Sequence, residues 1–188
     1  MARSLSMTLL TLLGMGCAST TTERLGLPEL RVVGQVDLGR YVGQWFEIAA
    51  FPQRFQRGCT ASTATYARRD DGQIDVVNRC RLGSPDGSEK VAEGRARVVD
   101  PSTNAKLEVS FFRPFWGDYW IVDLDPDYGW AVVGHPSRDY LWILARTPAL
   151  DPATYDGIVA RLAAQGYEAG RLVRTVHGAE DPSPHAAP

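Results

Sequence analysis

From residue 43 to residue 146 the hydrophobic pattern is one of short β-type runs in which apolar and polar positions often alternate. The runs are Gly43–Ala50, Thr60–Arg68, Gln73–Cys80, Lys90–Val99, Lys106–Phe112, Tyr119–Asp125, Trp130–Gly134 and Tyr140–Arg146. Turn residues separate them, among them Asp70-Asp71-Gly72, Pro85-Asp86-Gly87, Asp100-Pro101, Asp125-Pro126-Asp127 and Pro136-Ser137-Arg138-Asp139. Short strands at this spacing predict an antiparallel sandwich or barrel. No segment between them is long enough for the crossover helix that a parallel pair needs. The period changes only near the end. Asp151 is a helix N-cap with Pro152 at the first helical position. Tyr155, Ile158, Val159, Leu162 and Ala163 follow at helical spacing, and Gly166 stops the helix. A short strand-like run, Leu172–Val176, comes last.

The N-terminus has a different pattern. Arg3 precedes an apolar run from Leu5 to Met15, and the small residues Gly14 and Gly16 stand beside Cys17. This is the layout of a secretory signal over residues 1–16. The run is too short to span a bilayer, which takes about 20 residues. A cysteine at the cleavage point resembles the lipobox of bacterial lipoproteins, although Gly14 stands where that pattern carries Leu. Acylation of Cys17 is therefore expected, giving a membrane partner through a lipid anchor. Residues 17–35 read as a tether, 36–176 as the folded domain, and the Pro/Ala-rich 177–188 as a disordered tail.

Composition narrows the classes. A length of 188 residues suits one domain, and 44% apolar residues supply a core for it. The net charge is −2 and the basic residues form no run, which argues against nucleic acid as partner. Besides Cys17 there are Cys59 and Cys80. Export places them in an oxidising compartment. Folding the hairpin about Asp70-Asp71-Gly72 brings them close, so a disulfide is expected, with two buried free thiols as the alternative.

Three segments then carry a family resemblance. Gly43-Gln44-Trp45 resembles the G-x-W signature that opens the first lipocalin strand. Trp120–Asp125 is similar to that family's second block, and Tyr140–Pro148 to its third. The chain is identified as resembling the bacterial outer-membrane lipocalins, a group similar to the apolipoprotein D-like and temperature-induced lipocalins. The resemblance implies an all-β, eight-stranded antiparallel up-and-down barrel with one C-terminal α-helix packed outside. It implies a structural signature of Gly43, Trp45 and Arg146, with Trp45 and Arg146 stacked at the closed end. It also implies a lipid-anchored protein of the cell outer membrane, facing the periplasm.

A barrel of eight strands has room inside for one small ligand. With Trp45 inward, alternation and the family pattern set the inner face. Glu47 and Ala49 follow on the first strand, then Ala64 and Tyr66, then Ile74, Val76 and Asn78. Ala92, Gly94 and Ala96 come next, small enough to leave room for a ligand. Leu107, Val109 and Phe111, then Tyr119, Ile121 and Asp123, then Tyr140, Trp142 and Leu144 complete the set. The ligand-binding candidates are Val76, Val109, Phe111, Tyr119, Ile121, Tyr140 and Trp142. Such a lining suits a fatty acid or lysophospholipid. Arg54 and Arg57, in the loop after the first strand, either meet a head group or are plain solvated surface.

Signals for catalysis are weak. Asp123, Asp125 and Asp127 fail as a calcium loop, because the twelfth position is Gly134 rather than Glu. His135, His177 and His185 lack metal-ligand spacing, and there is no G-x-S-x-G elbow. No catalytic residue, metal or cofactor is expected, and the chain is read as a binding protein. The alternatives are a lipid isomerase or esterase on the same barrel, favoured by a free thiol at Cys59 or Cys80, and an envelope-structural lipoprotein with a filled cavity. The sequence leaves open whether two copies pair as a homodimer.

Overall fold

Alternating side chains make each run a two-faced strand, and in the computed structural model these strands close on themselves. The structure describes residues 26–178 apart from Pro28. The expected signal segment, Cys17 and most of the expected tail lie outside the described residues. A one-turn helix α1 (Leu38–Tyr41) is capped by the Asp37 carboxylate, which accepts from the Gly39 and Arg40 amides. Eight strands follow: β1 (Gly43–Ala50), β2 (Cys59–Arg68), β3 (Ile74–Leu82), β4 (Glu89–Val98), β5 (Lys106–Phe112), β6 (Phe115–Leu124), β7 (Trp130–Gly134) and β8 (Leu141–Ala145). Helix α2 (Pro152–Ala164) and a two-residue strand β9 (Val173–Arg174) complete the order. All pairings are antiparallel; β2 to β8 pair in sequence order, β1 closes the barrel by pairing with both β8 and β2, and β9 pairs with β1. Strand β6 starts four residues before the expected Tyr119, because Phe112 and Phe115 pair across a tight turn containing Arg113 and Pro114.

The alternation sorts the core into two layers. Inside the barrel, Trp45, Tyr66, Ile74, Val76, Leu107, Ile121 and Leu144 pack together with Tyr41 of α1. Outside it, Ile48, Val122, Val132, Leu141 and Ile143 pack against Ile158 and Leu162 of α2. Both helix residues are fully buried. The helix forms as the sequence predicts: the Asp151 carboxylate accepts from the Thr154 amide at 2.9 Å, and Pro152 occupies the first turn. Leu30 and Val33, within the stretch read as tether, already pack on this frame. Leu30 joins the outer layer, and the Val33 amide donates to the Ile121 carbonyl at 3.0 Å.

Two inward expectations are corrected, both by β-bulges. A bulge holds one extra residue, so it reverses the facing of everything beyond it. On β1 the register against β8 slips between Glu47 and Ala49, and Ala49 lies in the outer layer. On β6 it slips between Ile121 and Asp123. Asp123 therefore faces out and binds Arg161 of α2 at 2.8 Å, while Leu124 packs on the inner layer.

The other departure concerns the seam of the barrel. Strands β1 and β2 pair only over Gly43–Phe46. Toward the mouth the C-terminal segment lies between them. It pairs with Ala49 and Ala50 through β9, and the Val176 carbonyl accepts from the Ala61 amide and the Thr60 hydroxyl. Its end is held by His177, whose Nε2 lies 2.8 Å from the Glu47 carbonyl and whose ring meets Phe46 edge-on. Cys59 and Cys80 are joined by a disulfide beside this seam, with Cα atoms 5.4 Å apart.

Candidate functional site

The strands run between a closed end, floored by α1, and an open end formed by the β1–β2, β3–β4, β5–β6 and β7–β8 connections. The closed end is solid. Trp45 is fully buried, and its indole nitrogen donates to the Tyr41 carbonyl at 2.8 Å. The Arg146 guanidinium lies 3.7 Å from the Trp45 ring centroid and donates to the carbonyls of Arg40, Tyr41, Val42 and Gln44. Gly43 has φ of +97°, and a Cβ there would stand 3.3 Å from the Arg146 Nη1. The positive φ favours glycine at that position, and a Cβ would also press on the Arg146 side chain.

Above this floor the inner face opens. Val109, Phe111, Tyr119 and Trp142 point inward yet are only half-buried, and Ala92, on the same face, is exposed. Water reaching inward-facing side chains marks a cup entered from the mouth. Of the candidate set, Val109, Phe111, Tyr119 and Trp142 line this open part. Tyr140 sits at its rim, its ring stacked on Trp142 at 6.2 Å. Val76 and Ile121, 2% and 0% exposed, belong instead to the packed lower half. The room expected at Gly94 is taken, because a Cβ there would meet the Phe111 ring at 2.7 Å. Strands β4 and β5 pair no further toward the mouth than Arg95 and Ser110, and a cleft of about 490 Å³ opens on the wall beyond that pair.

The cup is not uniformly apolar. The hydroxyls of Tyr41 and Tyr119 lie 2.8 Å apart, and Tyr119 donates to Tyr66 at 2.9 Å. This relay crosses the barrel from α1 through β6 to β2. Burial pushes the Tyr66 phenol up to about 12 and raises those of Tyr41 and Tyr119 as well. All three are neutral hydroxyls at ordinary pH. Higher in the cup, Ser62 Oγ and Asn78 Oδ1 are buried on adjacent strands with no protein partner. Asn78, Tyr66 and Tyr119 are among the expected inward residues, whereas Tyr41 lies outside the strand runs and has no such signal. Ser62 is buried in step with Ala64 and Tyr66, so extending the β2 alternation by two residues would have included it.

A second polar network closes part of the mouth. Gln56, on the β1–β2 loop, donates through Nε2 to the Glu47 carboxylate at 2.7 Å, and its Oε1 accepts from the Trp142 indole at 2.9 Å. The other Glu47 oxygen accepts from the Thr175 hydroxyl at 2.6 Å. Glu47 thereby ties the mouth loop to the C-terminal segment. A groove of about 440 Å³ lies between them, lined by Glu47, Gln56, Arg57, Cys59 and Val176 among others. Arg54 and Arg57 are exposed on this loop. On the neighbouring β7–β8 connection, burial lowers the His135 imidazole from its usual value, and its ring packs edge-on against Tyr140.

Comparison with known proteins agrees with this architecture. A family model described as a lipocalin-like domain matches residues 36–177. The chain is 40% identical over 160 residues to the outer membrane lipoprotein Blc of Escherichia coli K12, covering 85% of this chain and 87% of that protein. It is 39% identical over 169 residues to temperature-induced lipocalin-1 of Arabidopsis thaliana, covering 85% and 89%. The solved structure of insecticyanin from the tobacco hornworm Manduca sexta superposes with a TM-score of 0.64 at 19% identity, covering 81% of this chain and 86% of that one.

Proposed function

Because the chain belongs to the lipocalin family, we propose that it binds a single small hydrophobic ligand, a fatty acid or lysophospholipid, in the cup above the Tyr41–Tyr119–Tyr66 relay. The observation that carries this reading is the open upper cup, where Val109, Phe111, Tyr119 and Trp142 face inward and are only half-buried. An apolar cavity with a few placed polar groups suits an amphipathic lipid. The acyl chain lies along these four side chains, the Ser62 hydroxyl donates to an ester oxygen, and Asn78 Oδ1 accepts from a ligand hydroxyl. Arg54 and Arg57 stand where a carboxylate or phosphate head group leaves the mouth.

The proposed place of action is the outer membrane. The similarity to an outer membrane lipoprotein supports it, and so does Cys17 at the end of an apolar leader. The protein carries the ligand and does not transform it. With Cys59 and Cys80 joined in a disulfide, neither supplies the free thiol that would favour the isomerase or esterase reading.

Titration of the full chain carrying Cys17→Ala with fatty acids and lysophospholipids, followed by tryptophan fluorescence, tests the reading. Saturable quenching that is lost in Trp142→Phe, with the fold intact, is the expected result. No saturable response to any acyl ligand, together with no displacement of a bound hydrophobic dye, would sink it.

A further inference from the structure

The large apolar side chains left in solvent gather at one end of the barrel. Phe112 and Phe115 are 81% and 76% exposed, and they flank Arg113 and Pro114 at the tip of the β5–β6 hairpin, on the mouth rim. Phe55, 57% exposed, stands on the β1–β2 loop at the same end. Exposed apolar residues scattered singly need no explanation, but several gathered around one opening mark an interaction surface. Neither hairpin ring belongs to either core layer, so the barrel does not need them for packing.

Charge divides along the same axis. The three hairpin turns at the closed end carry Asp70, Asp71, Asp100, Asp125 and Asp127 against Arg69. The connections at the mouth carry Arg54, Arg57, Arg113 and the buried Arg138 against Asp86 and Asp139. The mouth is therefore the basic pole of a chain whose net charge is −2. The N-terminal segment fits the same polarity. The Val36 amide donates to Thr103 in a closed-end turn, and the Val33 amide to Ile121 part-way up β6. Read back toward Leu30, the segment thus climbs toward the mouth.

We infer that the mouth rim is a docking surface for an anionic phospholipid bilayer. Phe112 and Phe115 enter the interfacial layer, and Arg54, Arg57 and Arg113 lie at the head-group phosphates. Aromatic and apolar side chains backed by arginine are the chemistry that such an interface rewards. A second copy of the chain is the poorer occupant. A two-fold contact through the rim would set the basic mouth of one copy against the basic mouth of the other. Docking in this pose opens the cup directly onto lipid, so a ligand leaves or enters the bilayer without crossing water.

Hydrogen–deuterium exchange of the full chain carrying Cys17→Ala, with and without vesicles of phosphatidylglycerol and phosphatidylethanolamine, tests this. The expected result is slower exchange over residues 111–117 and 54–57, with no change in the closed-end turns. In the double variant Phe112→Ser/Phe115→Ser, vesicle affinity falls about tenfold or more, and the melting temperature is unchanged. Val99→Ser, which removes an apolar side chain 54% exposed beside a closed-end turn, leaves vesicle affinity as it was. Protection at the closed end, or equal protection on purely zwitterionic vesicles, would overturn the proposal. So would protection of the rim that appears without vesicles as protein concentration rises, which would assign the surface to self-association.

Discussion

The guanidinium of Arg146 stacks 3.7 Å from the centroid of the Trp45 indole while donating to four main-chain carbonyls around α1. Two interactions of different kinds therefore meet in one side chain. The cation–π contact contributes about 0.5–2 kcal/mol. The Tyr41 carbonyl keeps the Trp45 indole as its donor, and of the others each one that is buried costs about 1–3 kcal/mol when Arg146 is removed. Arg146→Met is expected to destabilise the barrel by roughly 3 kcal/mol, with the carbonyl loss outweighing the ring contact. Arg146→Lys keeps the charge but cannot reach four acceptors, so it recovers less than half of the loss. Urea denaturation of both variants checks this, and equal stability of the Met and wild-type chains would refute it.

The tyrosine relay predicts alkaline lability. Tyr66 is held neutral up to about 12, above its ordinary 10.0, by burial. The folded chain therefore keeps a proton that the unfolded chain releases. Its contribution is complete below pH 10.0 and declines as pH rises toward about 12. Tyr119→Phe removes both hydroxyl links and costs about 1–3 kcal/mol at neutral pH. It also weakens the decline, because one of the three raised phenols is gone. Denaturation midpoints measured across that range, in both chains, give the two slopes, and identical slopes would count against the relay.

Removing the disulfide with Cys59→Ser/Cys80→Ser opens a loop closed by a sequence separation of 21. The expected loss is about 3 kcal/mol, on the chain-entropy account of loop closure. The bridge ties β2 to β3 beside the C-terminal segment. Exchange at Val173–Val176 should therefore rise more than at Ile143, which is buried in the outer layer. Thermal melts with and without reductant, with exchange resolved by segment, check both parts.

Gln56 holds the mouth loop to the cup wall through the Glu47 carboxylate and the Trp142 indole. Gln56→Leu is expected to cost only about 1 kcal/mol of stability, because the residue is half-exposed and water replaces its partners. Its kinetic effect is the informative one. Amides of residues 53–57 exchange faster, and a bound acyl ligand dissociates several times faster at little change in the association rate. Stopped-flow displacement resolves the two rates. A slower dissociation would show that the loop does not gate the cup.

Much of this molecule is legible along the chain. The number and order of strands, the outer helix from Asp151, and the pairing of Cys59 with Cys80 follow from alternation, caps and turns, because each is decided within a few residues. The Trp45–Arg146 pair is legible only through the family blocks, since 101 positions separate the two residues. Alternation puts Ala49 and Asp123 inside, and the structure puts them outside, because a bulge arises from the fit between two strands. Nothing in the β1 or β6 sequence alone marks the extra residue.

What the sequence determined by itself is therefore the local part: a run of strands with one face apolar, closed by a capped helix, bearing the signature of its family. Tertiary structure alone decided which atoms meet inside. It brought Tyr41, Tyr66 and Tyr119 into one hydrogen-bonded relay, laid the C-terminal segment into the seam between β1 and β2, and filled the space at Gly94 with Phe111. The physical reason is that facing direction is a local property with a period of two. Register, bulges and the filling of a cavity depend instead on side chains far apart in sequence, whose contacts exist only once the barrel has closed.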